Sequence, residues 1–168
     1  MAYTRLCAAL SRWSLRAAVL GLIVLVICVQ WQVLGRYLLN DSPTWTEPFA
    51  LLLVLYITAL AVAVGVRDAG HLGMESVVAL LPGAAQRVAQ GLIHLCVMAF
   101  AVLMAAAGWQ WLVLKWDEPK PMLGVPEGLD YLPLVMAGAL IVLFCVEHLI
   151  ALWRGRAVEE AGVLDGRP

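Results

Sequence analysis

The chain has 168 residues, a net charge of −1, only 14% charged residues against 63% hydrophobic ones, and a mean hydropathy of +0.89. Those proportions lie outside the range of soluble globular domains. Four uncharged apolar stretches, Ala17 to Leu34, Pro48 to Val66, Val88 to Leu114 and Tyr131 to Val146, leave too little polar sequence for a catalytic domain.

A hydrocarbon layer of about 30 Å takes roughly 20 apolar residues as helix, so each stretch is expected to become a transmembrane span. The first, over about 17–37, follows Arg5, Arg12 and Arg16. Basic residues before an apolar run also mark a cleavable signal peptide, but this run is longer than a usual signal core. No small-residue cleavage site follows it, so it is expected to stay as a signal-anchor helix.

The connection to the second span reads QVLGRYLLNDSPTWTEPF. Asn40, Asp41, Ser42 and Pro43 supply the turn, Thr44 and Thr46 are the expected N-caps, and Glu47 and Pro48 suit a first helical turn. Arg36 and Glu47 face each other across this hairpin as a possible ion pair, or as a pair of contacts to another subunit. The second span, about 47–66, carries Ala59, Ala63, Ala61 and Gly65 at four-residue spacing, the pattern of close helix packing.

From Arg67 to Arg87 the chain is too polar at its start for a span and too apolar for an ordinary loop. Leu72, Val77, Val78, Leu80 and Leu81 alternate with His71, Glu75 and Ser76, which predicts a short helix over about 71–81, lying in the interface or packed on the bundle and ending before Pro82. The third span, about 88–114, has Ala101, Ala105, Ala107 and Gly108 as packing positions. Lys115 to Asp130 then forms a proline-stiffened outer loop, with Pro119, Pro121 and Pro126. The fourth span, about 131–153, holds Glu147, the one acid within an apolar helix. Placed toward one end, with Arg154 and Arg156 beyond it, Glu147 is expected to act at an interface rather than in ion coupling.

Eight basic residues, Arg5, Arg12, Arg16, Arg67, Arg87, Arg154, Arg156 and Arg167, fall on one side of this four-span arrangement, and three, Arg36, Lys115 and Lys120, on the other. The positive-inside rule therefore places both termini in the cytoplasm. Tyr37, Trp45, Trp109, Trp111, Trp116 and Tyr131 gather at the expected outer headgroup level, and Trp13 and Trp153 at the inner one. The expected fold is thus a single all-α membrane domain over residues 1–168, with four spans and one interfacial helix.

Alternative chemistries are poorly supplied. Disulfide exchange needs paired thiols facing the outer compartment, whereas Cys28, Cys96 and Cys145 lie in spans and Cys7 precedes the first. A proton-driven drug exporter needs an acid in the first span, which has only Gln30 and Gln32. His94 and His148 fall at similar depth on facing helices, so a haem-binding, cytochrome b-type electron-transfer subunit is the alternative function.

The elements QVLGRY (Gln32 to Tyr37), SPTWTE (Ser42 to Glu47), GHLGME (Gly70 to Glu75), Leu81 with Pro82, and PEGLDYLPL (Pro126 to Leu134) occur in order along nearly the whole chain. In that succession they resemble the small membrane subunit, the DctQ-like Q subunit, of tripartite ATP-independent periplasmic (TRAP) transporters. In that family the tryptophan is commonly followed by two adjacent acids; here Pro48 replaces the second, and Glu75 stands where Asp is frequent. The resemblance implies a non-enzymatic subunit of the inner membrane, obligately paired with a large transport subunit. A periplasmic solute-binding protein would deliver an organic anion, often a carboxylate, for sodium-driven uptake. It also implies contact with membrane lipids, no nucleic acid, and no cofactor or metal of its own. Arg36, Tyr37, Trp45, Glu47, His71 and Glu75 are the expected subunit-interface or assembly residues, and no substrate-binding residue is expected here.

Overall fold

The computed structural model describes residues 2–38, 43–68 and 83–153. Four long helices account for most of them: α1 (Ala2–Leu38), α2 (Thr46–Asp68), α3 (Gly83–Leu114) and α4 (Leu132–Trp153), with a short 3-10 helix, Glu127–Asp130, leading into α4. All four are long and apolar enough to cross a membrane, and no strand occurs among the described residues. The helix expected over 71–81, with His71 and Glu75, lies outside the described residues.

The bundle is two antiparallel hairpins. α1 packs on α2 and α3 on α4, and α4 also lies along α2, joining the pairs. Within α3–α4 the helices approach closely because the seam is built of small residues. A Cβ on Gly138 would lie 2.7 Å from Ala101 O and 2.7 Å from Ala105 Cβ, and one on Gly108 would lie 2.9 Å from Leu134 Cβ. Ala101, Ala105 and Gly108 thus form the expected packing stripe, whereas Ala107 is exposed. On α2, Ala63 is fully buried, but Ala61 is exposed and Gly65 borders open space.

The largest difference from the sequence expectation is the length of α1. It is one helix of 37 residues, about 55 Å at 1.5 Å per residue, and begins at Ala2 rather than near Ala17. The reason is visible in its periodicity. Cys7, Ser11, Ser14, Ala18, Gly21, Leu25, Cys28, Gln32 and Gly35 alternate at four- and three-residue steps, and each is buried or half-buried. That is a 3.5-residue seam, the repeat that keeps one face of a helix against a neighbour. The three early arginines lie away from this seam and so do not interrupt it.

The register of α1 follows from its contacts. Cys28 Sγ donates to Thr46 O at 3.7 Å, at the start of α2, and Cys7 is buried with Phe144 and Cys145 near the far end of α4. The ten residues from Cys28 to Leu38, about 15 Å, therefore continue beyond the first turn of α2. Thr46 opens α2 but does not cap it, because its hydroxyl donates back to Pro43 O at 2.7 Å and closes the turn instead.

Candidate functional site: a buried polar clasp and two exposed outer elements

Charged and polar groups collect at the two ends of the bundle. At the end where α2 finishes, Arg67 donates from Nε to Glu147 Oε2 at 3.2 Å, joining α2 to α4. Glu147 is 4% exposed, so this is a buried ion pair between residues 80 positions apart. The guanidinium also reaches Asp68 Oδ1 at 3.4 Å and lies 5.8 Å from the centre of the Phe144 ring. His148 Nε2 is 3.2 Å from the carbonyl of Arg67, which can only accept, so that nitrogen carries the proton. His94 from α3 stacks on His148, with ring centroids 4.9 Å apart and planes within 4°. Tyr3 of α1 completes the clasp by donating its hydroxyl to Leu143 O at 2.8 Å. One layer of side chains thus ties all four helices together.

This layer corrects two expectations. Within the described residues Glu147 pairs with Arg67, which the sequence suggested only as a marker of topology. The two histidines do meet, as their depth implied, but face to face. Axial ligands to a haem point ring nitrogens at each other across the iron, and parallel rings in direct stacking leave no gap for a porphyrin. Among the described residues, no group of three or more His, Cys, Asp or Glu could hold a metal ion.

The opposite end carries a compact hairpin between α3 and the 3-10 helix. Lys120 N donates to Val125 O at 2.8 Å and Glu127 N to Glu118 O at 2.8 Å, while Met122 and Gly124 turn the chain with φ of 69° and 66°. Met122 therefore occupies a left-handed conformation that favours glycine. Lys120 Nζ bridges both oxygens of Asp130 at 2.6 and 2.7 Å, and Lys115 pairs with Glu118 and, at 3.7 Å, with Glu127. The Glu118 carboxyl is held below the usual carboxylate range by the hydrogen bond from Lys115, and the Lys115 ammonium is correspondingly raised. Gly128 seats the hairpin on α3, since a Cβ there would lie 2.6 Å from Leu112 O. Tyr56 Oη donates to Leu129 O at 3.2 Å and fixes the same unit to α2. Trp109, Trp111 and Trp116 are exposed around it, with Trp111 stacked on Tyr131 at 5.8 Å, as an interfacial aromatic girdle requires.

The second exposed element at this end is the tip of α1 with the start of α2. Arg36, Tyr37, Trp45 and Glu47 are all exposed, Tyr37 by 81%. Trp45 packs edge-on against Phe49 at 6.1 Å. Arg36 and Glu47 do not pair with each other, and no other described residue offers either an ionic partner. His71 and Glu75 lie outside the described residues, so four of the six expected interface residues are placed, all of them exposed.

Comparison with known proteins gives a consistent result. The family described as tripartite ATP-independent periplasmic transporters, DctQ component, matches residues 25–155. A Haemophilus influenzae protein described as a TRAP transporter small permease is 24% identical over 130 residues, covering 77% of this chain and 81% of the relative. The isethionate TRAP transporter permease protein DctMQ of Oleidesulfovibrio alaskensis is 25% identical over 142 residues, covering 78% of this chain and 22% of that longer relative. The C4-dicarboxylate TRAP transporter small permease protein DctQ of Pseudomonas aeruginosa is 32% identical over 77 residues, 46% of this chain and 37% of the relative.

Proposed function

This chain belongs to the DctQ family of TRAP transporter components as a small permease subunit, and from that membership we propose that it scaffolds a large transport subunit and helps dock a periplasmic solute-binding protein. Both termini lie in the cytoplasm, as the distribution of eight basic residues against three favours. The segment 71–81, with His71 and Glu75, contributes to subunit contact on that side. The solute is an organic anion driven in by sodium. A relative named for a C4-dicarboxylate supports the carboxylate class, and one named for isethionate supports anions more broadly.

The observation that carries the scaffold reading is where this chain spends its charges. A solute or ion pathway needs ionisable groups or broken helices at mid-membrane. Here the acid buried between helices, Glu147, is paired within one terminal layer, and the described helices run unbroken. Meanwhile the tip of α1 and the start of α2 present Arg36, Tyr37, Trp45 and Glu47 without ionic partners among the described residues. Those residues suit contact with the large subunit, and the Lys115 to Asp130 hairpin suits contact with the binding protein. The DctMQ relative, of whose length this chain matches 22%, supports pairing with a much larger permease part.

Purification of a tagged copy from native membranes in mild detergent, followed by mass spectrometry, tests the assignment. A large polytopic permease in stoichiometric amount is expected, and a lone homo-oligomer would overturn it. Arg36→Ala and Glu47→Ala should each reduce that companion; undiminished recovery with both would remove these residues from the interface.

A further inference from the structure

We propose that the exposed arginine face of α1 binds the phosphate headgroup of an anionic phospholipid. Arg5, Arg12 and Arg16 are spaced i, i+7 and i+11, which puts them on one stripe about 17 Å long. Cys7, Ser11, Ser14 and Ala18 are buried on the opposite side of the same turns. The arginines are therefore held facing away from the bundle, and no described carboxylate pairs with any of them.

Their position at the start of an exposed apolar track favours an anionic ligand. Cys7 packs with Phe144 and Cys145 beside the Arg67–Glu147 pair, and α1 runs from there along α2. Arg12 and Arg16 thus lie about 8 and 14 Å further along the bundle than that layer, among exposed Trp13, Leu15 and Leu20. A guanidinium at the boundary where the apolar track of α1 begins needs an acceptor or a route to the headgroup level. The route is present. Side chains on a helix lean toward its N-terminus, and the Arg16 guanidinium lies 5.8 Å from the centre of the Trp13 ring, one turn back. That is the direction of snorkelling, and it places the Arg16 guanidinium beside a ring suited to the headgroup level.

The same face continues past Arg16 as Leu20, Ile23 and Ile27, exposed by 63, 52 and 62%. From Arg16 to Ile27 is again about 17 Å, close to half of a hydrocarbon layer of about 30 Å. A cationic head region followed by an apolar track one leaflet long has the shape of a phospholipid, and arginine forks match phosphate oxygens bidentately. A protein partner would need carboxylates graded in depth along the same line; a lipid supplies its charge at the headgroup and hydrocarbon below. The inference requires only that α1 crosses a bilayer, and so stands apart from the transporter assignment.

The test uses the full chain, with any co-purifying subunit, exchanged into bilayer discs of phosphatidylglycerol and phosphatidylcholine, with retained lipid read by native mass spectrometry. The triple variant Arg5→Gln, Arg12→Gln, Arg16→Gln should hold phosphatidylglycerol roughly fivefold less tightly per arginine, about a hundredfold in all, whereas the corresponding triple lysine variant retains it. In the unsubstituted protein, brominated phosphatidylglycerol should quench Trp13, isolated by difference against Trp13→Phe, more than brominated phosphatidylcholine. Equal quenching by the two lipids, or an unchanged lipid ratio in the glutamine variant, would overturn the proposal. So would loss of a polypeptide cross-linked to this face with lipid retention unaltered.

Discussion

Arg67–Glu147 at one end of the bundle and Lys120–Asp130 at the other are the same kind of pair, a cation on a carboxylate, with cations similarly covered, 16% and 14% exposed, but carboxylates that differ. The first joins two helices across 80 residues of sequence, with Glu147 4% exposed. The second closes a ten-residue hairpin, with side chains 14% and 24% exposed. Burial makes the first costly to assemble and more costly to break, because removing one partner strands the other in a low dielectric. The second stays near water, where solvent can replace a lost partner. The pair with the buried carboxylate is therefore expected to hold the bundle together, and the more accessible hairpin pairs to set the shape of a surface.

Glu147→Ala should produce the largest effect, a loss of about 3–5 kcal/mol on thermal unfolding in detergent, since it leaves Arg67 without its buried counter-charge. The double replacement Arg67→Met, Glu147→Leu should recover most of that loss, because an apolar pair avoids the desolvation altogether. If Glu147→Ala costs no more than Lys120→Ala, the contrast between the two ends collapses.

Gly138→Ala comes next. Its methyl would meet the backbone oxygen of Ala101 at 2.7 Å, which cannot swing aside, so about 1–3 kcal/mol should be lost to overpacking of the α3–α4 seam. Gly65→Ala, which borders open space, is the control and should be neutral or slightly stabilising. Lys120→Ala should cost about 1 kcal/mol or less, as for a pair close to water.

How much of this could be read from the sequence depends on the range of the interaction responsible. The four spans were legible because apolar length is a local property, and the α3 packing stripe because Ala101, Ala105 and Gly108 repeat along one helix. The beginning of α1 was obscured by Arg5, Arg12 and Arg16, which lower hydropathy without interrupting the seam from Cys7 to Ala18. The four- and three-residue alternation of Cys, Ser, Ser and Ala was the available signal, muted because none of these residues is strongly apolar. The clasp was legible only in part. His94 and His148 could be placed at one depth, but nothing near Arg67 in the chain points to Glu147, and the donation from Tyr3 to Leu143 spans 140 positions. Likewise Thr46 had the residue type of an N-cap, yet the turn at Pro43 takes its hydroxyl.

The smallest expected effect lies on Lys115–Glu118 and is best seen through pH. Hydrogen bonding to Lys115 lowers the Glu118 carboxyl, so its contribution is present above the ordinary carboxylate range and lost as pH falls through the lowered folded value. Lys115 is raised by the same contact, so its contribution is present below the ordinary amine range and lost as pH rises through the raised value. Around neutrality the pair should give a flat profile. Fluorescence of Trp116, isolated by difference against Trp116→Phe, should report loosening of the hairpin only toward the two extremes, and Glu118→Gln should abolish the acid limb while lowering the thermal midpoint at neutral pH only slightly. A midpoint that falls with Glu118→Gln as far as with Glu147→Ala would mean that the hairpin, too, is part of what holds the helices together.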